Sequence, residues 1–219
     1  MHDQNRIISV NSDNPEPDII AQAGKIIQNN GVVIFPAQCL YGVAVNALNE
    51  QAVKKVYTLK QRPLNNPILT LIYDKTQLSD LVQTIPVSAQ KLMDAFWPGN
   101  LTIVFKAKNH IPDILTAGTG KIGIRIPAHP VAKALVKYTN FPITGTSANL
   151  SGQQSCNQIN RLDPLLTVNT DLILDAGNLK GGIGSSIVDI TSSTIKIIRQ
   201  GKISALKINE ILDKFHVLP

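Results

Sequence analysis

Lys60 and Arg62 stand one residue apart in Lys60-Gln61-Arg62-Pro63, and two cations held at that spacing on a proline-stiffened turn can clamp phosphates or a carboxylate. Such a pair is most often solvated surface charge. Four other segments give it company. Gly123-Ile124-Arg125-Ile126-Pro127 plants one arginine inside an apolar run, where it needs an anionic partner, either a structural carboxylate or a ligand. Thr144-Gly145-Thr146-Ser147-Ala148-Asn149-Leu150-Ser151-Gly152 is dense in small hydroxylated residues, whose hydroxyls and backbone N–H groups can approach a phosphate closely. Gly181-Gly182-Ile183-Gly184-Ser185-Ser186 can be a phosphate loop, a flap or a plain hairpin, and Arg199-Gln200-Gly201 follows it. Pro36 to Gly42, carrying Tyr41, closes a buried strand.

What is missing narrows the chemistry. There is no Walker-type glycine loop, no nucleophile elbow and no recognisable pair of catalytic carboxylates. Phosphate chemistry without an evident base or nucleophile works by positioning and charge neutralisation. Cys39 has no patterned histidine beside it, and the scattered histidines and cysteines have no zinc spacing, so no metal site is expected.

Composition bounds the class without separating an ATP user from an RNA binder. With 43% hydrophobic and 16% charged residues the chain is globular rather than disordered. No apolar run reaches the length of a membrane span, and the N-terminus lacks the layout of a secretory signal. Two cysteines, Cys39 and Cys156, make no disulfide framework, so the expected location is cytoplasmic. A net charge of +6 favours anionic partners, nucleotides or RNA, though nothing resembles an aromatic stacking platform.

Patterning supplies the elements that must position these residues. Ile7-Ile8-Ser9-Val10 reads as a strand, and Asn14-Pro15-Glu16 opens a helix with apolar face Ile19, Ile20, Ala23, Ile26 and Ile27, stopped by Gly31. Val32 to Phe35 reads as a buried strand, and Asn49 caps a helix through Leu59. Further strands are expected at 68–73, 101–106, 122–126, 142–146, 172–175, 186–190 and 194–199. Helices are expected at 75–83, 88–95 and 130–138, with a C-terminal one over about 206–216. The fold class is therefore α/β, a twisted open mixed sheet with flanking helices. Residues 1–219 read as one domain with its core at about 17–204.

The ordered set of motifs resembles the YrdC/TsaC family, the threonylcarbamoyl-AMP synthases. The likeness rests on Lys60-x-Arg62-Pro63 with Asn66-Pro67, Trp97-Pro98-Gly99 with Leu101-Thr102, and Arg125-Ile126-Pro127 before His129-Pro130. Thr146-Ser147-Ala148-Asn149 with Ser151-Gly152, Ser185-Ser186-Ile187-Val188-Asp189 and Arg199-x-Gly201 complete it. The resemblance implies a basic cavity in which L-threonine, bicarbonate and ATP, with Mg2+, give threonylcarbamoyl-AMP and pyrophosphate. Other proteins would then transfer the group to adenosine 37 of tRNA, so separate transfer proteins are expected partners, and tRNA or double-stranded RNA is a further candidate partner.

By the same resemblance Lys60 and Arg62 are catalytic, and Arg62, Asn66, Asn149, Asn157 and Arg199 serve ATP. Tyr41, Arg125, Ser147 and Ser185 serve threonine, with Lys60 between the two anions. The chain departs from the family at Ala37-Gln38-Cys39, where Thr-Glu-Thr or Thr-Asp-Thr is usual, at Leu71, usually histidine, and at Gln200, usually proline. The alternative reading is a non-catalytic RNA-binding paralogue.

Overall fold

The structure, a computed structural model, describes residues 6–213. Its first half runs β1 (Ile7–Ser9), α1 (Pro17–Gln28), β2 (Val33–Pro36), β3 (Tyr41–Ala44), α2 (Glu50–Leu59) and β4 (Thr70–Leu71). Then come α3 (Leu78–Leu81), α4 (Val87–Phe96), β5 (Leu101–Lys106), α5 (Asp113–Thr116), β6 (Lys121–Arg125) and α6 (Pro130–Thr139). The remainder is β7 (Ile143–Thr144), β8 (Thr146–Ser147), α7 (Pro164–Val168), β9 (Leu172–Asp175), β10 (Ser186–Asp189), β11 (Lys196–Arg199) and α8 (Ala205–Asp213).

The mixed α/β architecture is as expected, with the strands divided between two sheets. One has the order β1-β9-β2-β3-β8 and the other β11-β10-β5-β6-β4-β7. Both are mixed: β2 is parallel to β9 but antiparallel to β3, and β5 is parallel to β10 but antiparallel to β6.

Helix α1 shows how the pattern becomes packing. Ile20, Ala23, Gly24 and Ile27 recur at helical spacing and are buried. They meet Val33, Phe35, Leu172 and Leu174 of the sheet and Val131, Leu135 and Val136 of α6. Each isoleucine so buried stabilises the fold by roughly 2–3 kcal/mol. A second, larger core fills the other side of β2 and β3, from Ile34 and Val43 to Val53 and Val56 of α2 and Ile103 and Phe105 of β5.

Several elements differ from the sequence expectation. Helix α1 begins at Pro17 rather than Pro15, with Glu16 at its N-cap, because either proline can occupy a first turn and only Pro17 does. The left-handed residue beyond its end is Asn30 (φ 59°), not Gly31. The turn expected over 37–42 is shorter: Tyr41–Ala44 pairs antiparallel with β2 as a hairpin. Of 68–73 only Thr70–Leu71 joins a ladder, and 75–83 is a 3-10 turn at Lys75–Gln77 followed by the single turn α3. The short helices α5 and α7 carry too few residues for a periodic signal. For the C-terminal helix expected to 216, the last three residues lie outside the described ones.

The expected strand at 142–146 is two strands in different sheets. β7 pairs with β4, and β8 pairs with β3, so the chain changes sheets at Gly145. Thr144 ties the crossing to the end of β3, donating to Val43 O at 3.0 Å and accepting from Val45 N–H at 3.1 Å. A Cβ at position 145 would lie 2.6 Å from Leu71 Cγ, a distance at which something must move. Gly145→Ala should therefore cost about 1–3 kcal/mol in urea denaturation. Adding Leu71→Ala should recover part of that loss, and a double variant no better than the sum of its parts would rule out the contact.

Candidate active site

Where the two sheets approach, a cavity of about 580 Å³ is lined from both. Its floor is one face of the six-stranded sheet. Read at period two, β6 offers Lys121, Gly123 and Arg125, β5 offers Thr102 and Val104, and β10 offers Ile187 and Asp189. Register sets Ile187 beside Thr102, Asp189 beside Val104, and Val104 opposite Gly123. Ala37 to Gly42, Thr146 and Ser147 line it from the other sheet.

Arg125 is the decisive group. It is 4% exposed, yet its Nε finds no hydrogen-bond partner. Among the described residues the salt bridges are Lys75–Asp94 and Lys121–Asp189, and neither involves it. Burial pushes its pKa down to about 10, partly offset by Cys39 and reinforced by the Arg199 charge. A buried guanidinium without a carboxylate is costly unless an anion visits. Of the two readings open from sequence, the structural carboxylate is absent among the described residues.

Ser185 links the floor to Arg199. Its hydroxyl lies 2.8 Å from Thr102 Oγ1, and Arg199 donates to its carbonyl at 2.8 and 3.1 Å. Arg199 stands at the end of β11, at the mouth. Arg62 lines the opposite wall, where Nε donates to Asn66 O at 3.0 Å and Nη2 to Pro67 O at 2.8 Å. Burial lowers the pKa of both arginines. Gln61 (φ 48°) makes the turn that swings Arg62 off the end of α2.

Lys60 lies behind this wall rather than on it. Its ammonium, 1% exposed, donates to the carbonyls of Ser147 and Asn149, the latter at 2.6 Å. Ser151 N–H bonds back to Lys60 O at 2.9 Å. The lysine thus fixes the 147–151 loop, and burial with the Arg62 charge pulls its pKa down to about 7.

The remaining expected residues divide. Ser147 lines the cavity, its hydroxyl donating to Asn149 Oδ1 at 2.5 Å. Asn149 spends its amide on Leu150 O and Gln153 O, inside its own loop. Asn66 is exposed and holds Arg62 through its carbonyl. Asn157 lines an adjoining cavity that shares Arg199, and donates to Leu179 O at 3.0 Å. Tyr41 lines the main cavity, but its hydroxyl points away, donating to Gly177 O at 2.7 Å and accepting from Ala176 N–H at 3.1 Å. Burial raises its pKa.

Of the unusual trio, Gln38 accepts from Ala128 N–H at 3.3 Å, tying the loop to the segment just after Arg125. Cys39 donates its thiol to Ile183 O at 3.6 Å. Sequence reasoning did not single out Asn100, Lys121, Gly123 or Asp189 as lining residues. Counting in twos from Arg125 along Lys121-Ile122-Gly123-Ile124-Arg125 would have found the first strand's contribution.

The family model described as telomere recombination (Sua5, YciO, YrdC) matches residues 25–201. A threonylcarbamoyl-AMP synthase of Bacillus subtilis is 38% identical over 202 residues, covering 90% of this chain and 58% of that protein. A putative threonylcarbamoyl-AMP synthase of Methanocaldococcus jannaschii is 36% identical over 207 residues, covering 94% and 97%. Among solved structures, Pyrococcus abyssi Sua5 complexed with L-threonine superposes with a TM-score of 0.90 at 32% identity, covering 94% of this chain and 60% of that one. The chain thus spans about three-fifths of the Bacillus and Pyrococcus relatives and nearly all of the Methanocaldococcus one. A motif series in family order, a matching fold and a family model spanning most of the sequence agree: the chain belongs to the Sua5/YciO/YrdC family.

Proposed function

We propose that this chain condenses L-threonine, bicarbonate and ATP into threonylcarbamoyl-AMP, releasing pyrophosphate. The observation that carries the reading is Arg125, a buried cation with no carboxylate, facing a cavity also bordered by Arg62 and Arg199. In the first step the threonine amine attacks the bicarbonate carbon, forming a carbamate and losing water. In the second, a carbamate oxygen attacks the α-phosphorus and the bond to pyrophosphate breaks. Both steps bring anions together, and neither needs a protein nucleophile. Fixed cations and shape are what the protein must supply.

In this reading Arg125, with Ser185 and Thr102 beside it, takes the threonine carboxylate as a two-point hydrogen-bonded pair. Arg62 and Arg199, on opposite sides of the mouth, take the phosphates. Asn157, in the adjoining cavity, stands toward the nucleoside, while Asn66 and Asn149 hold Arg62 and Ser147 in place. Lys60 delivers Ser147 and neutralises charge between the two substrates. Tyr41 gives the threonine pocket a rigid aromatic wall.

Among the described residues no group of three His, Cys, Asp or Glu side chains can hold a metal. In this reading Mg2+ enters on the triphosphate as part of the nucleotide substrate. Separate transfer proteins would carry the product to tRNA, and the basic mouth suits RNA. The cytoplasm is where both are met. No described helix is long and apolar enough to cross a membrane.

Arg62→Ala tests the phosphate side. Product formation, followed by mass spectrometry with 13C-bicarbonate, should fall about 10²-fold or more. The melting temperature should move only a few degrees, since the Arg62 side chain bonds the Asn66 and Pro67 carbonyls of its own turn, with Tyr57 beside it. Full activity in this variant would remove Arg62 from the site.

A further inference from the structure

Resting on the proposed function, we infer that Gly123, Val104 and the Lys121–Asp189 ion pair form the pocket that measures the amino-acid side chain. Carbamoylation of an amine and attack on ATP are open to any amino acid. Selectivity must therefore come from the space next to the carboxylate anchor.

The floor supplies such a space. One same-face step along β6 from Arg125, about 6.6 Å, reaches Gly123. Gly123 leaves a pit there. A Cβ built on it would sit 3.4 Å from Thr102 Cγ2 and 3.9 Å from Val104 Cγ2, ordinary contact distances, so the backbone needs no glycine for its own packing. Its φ is not left-handed either. The position is open, and both neighbours are cavity-lining groups. Val104 gives the pit an apolar face suited to a methyl group.

The next same-face residue is Lys121. From β6 its side chain reaches across β5 to Asp189 on β10, with Nζ 2.8 Å from Oδ2. Asp189 is pinned in turn by Thr191, whose N–H and hydroxyl donate to Oδ1 at 2.8 and 2.6 Å. The lysine stem is thus tied down at its far end as a bar across the floor. Asp189 is 11% exposed and Lys121 43%, so the bar has one face in the cavity and one in water. The resulting pocket admits a branched side chain of two heavy atoms beyond Cβ and stops a longer one.

Two variants test this, read by calorimetric amino-acid binding and by pyrophosphate release. Gly123→Ala fills the pit and should weaken L-threonine binding about tenfold, with KM for ATP changed less than twofold and the melting temperature held. Lys121→Ala removes the bar and should lower the preference for threonine over L-leucine at least fivefold. Unchanged selectivity in both variants would overturn the inference. Failure of the proposed function would look different: the unaltered protein would bind threonine without releasing pyrophosphate, and the binding arm would still decide the pocket.

Discussion

Arg125→Met is expected to abolish threonine-dependent adenylate formation, by about 10³-fold or more, while leaving the fold as stable as before or more so. The two effects have one origin. An arginine that is 4% exposed, with an unpartnered Nε and no facing carboxylate, has lost its hydration without local compensation. Methionine fills comparable space with no charge to desolvate, and a gain of about 1 kcal/mol or more is reasonable. The same exchange removes a buried cation from the cavity floor, and with it the proposed two-point grip on a carboxylate. Urea denaturation and initial rates on one preparation suffice to check it. A variant that is both less stable and still active would mean Arg125 holds the fold rather than the substrate.

Lys60→Met should cost nearly as much activity, about 10²-fold, and should also erase a pH signature. In the unliganded protein burial and Arg62 bring the Lys60 pKa down to about 7, against 10.5 ordinarily. Between those values the unfolded chain binds a proton that the folded one does not. This group therefore makes stability rise as pH goes from 7 toward 10, and its contribution is most unfavourable below pH 7. Phosphates near the ammonium favour its charged form, so ATP binding at pH 8 should take up protons. Calorimetry in buffers of different ionisation enthalpy would show that uptake in the unaltered protein and its loss in Lys60→Met. Equal proton uptake in both would place the titrating group elsewhere.

How far the sequence could be read depended on whether the information was local. The α1 stripe, the Asn49 cap and the long apolar strands are set by neighbours in the chain, and they appear close to where pattern places them. The split at Gly145 is not local. Ile143 to Ser147 is one apolar and hydroxylated run, and its division follows from pairing with two distant strands, β4 and β3, with Leu71 packed against Gly145 at the crossing. The hairpin at Tyr41 was hidden in the same way, because β3 is buried on both faces and carries no alternation.

At the site, residue types gave the cations but not their division of labour. Lys60 and Arg62 read as one clamp, whereas the helix end sends Lys60 inward to two carbonyls and Arg62 outward to the cavity. Lys121 and Asp189 lie 68 positions apart, and only the order β10-β5-β6 makes them partners. A strand-order effect of this kind has no counterpart in a linear motif.

The proposed joining of threonine to ATP through bicarbonate in this cavity has a direct readout. The most direct test is pyrophosphate release by the purified protein with ATP, Mg2+ and bicarbonate, with and without L-threonine. Release is expected to require both threonine and bicarbonate and to fall sharply when serine replaces threonine. Release independent of threonine, or none at all from protein that still binds ATP or RNA, would contradict it.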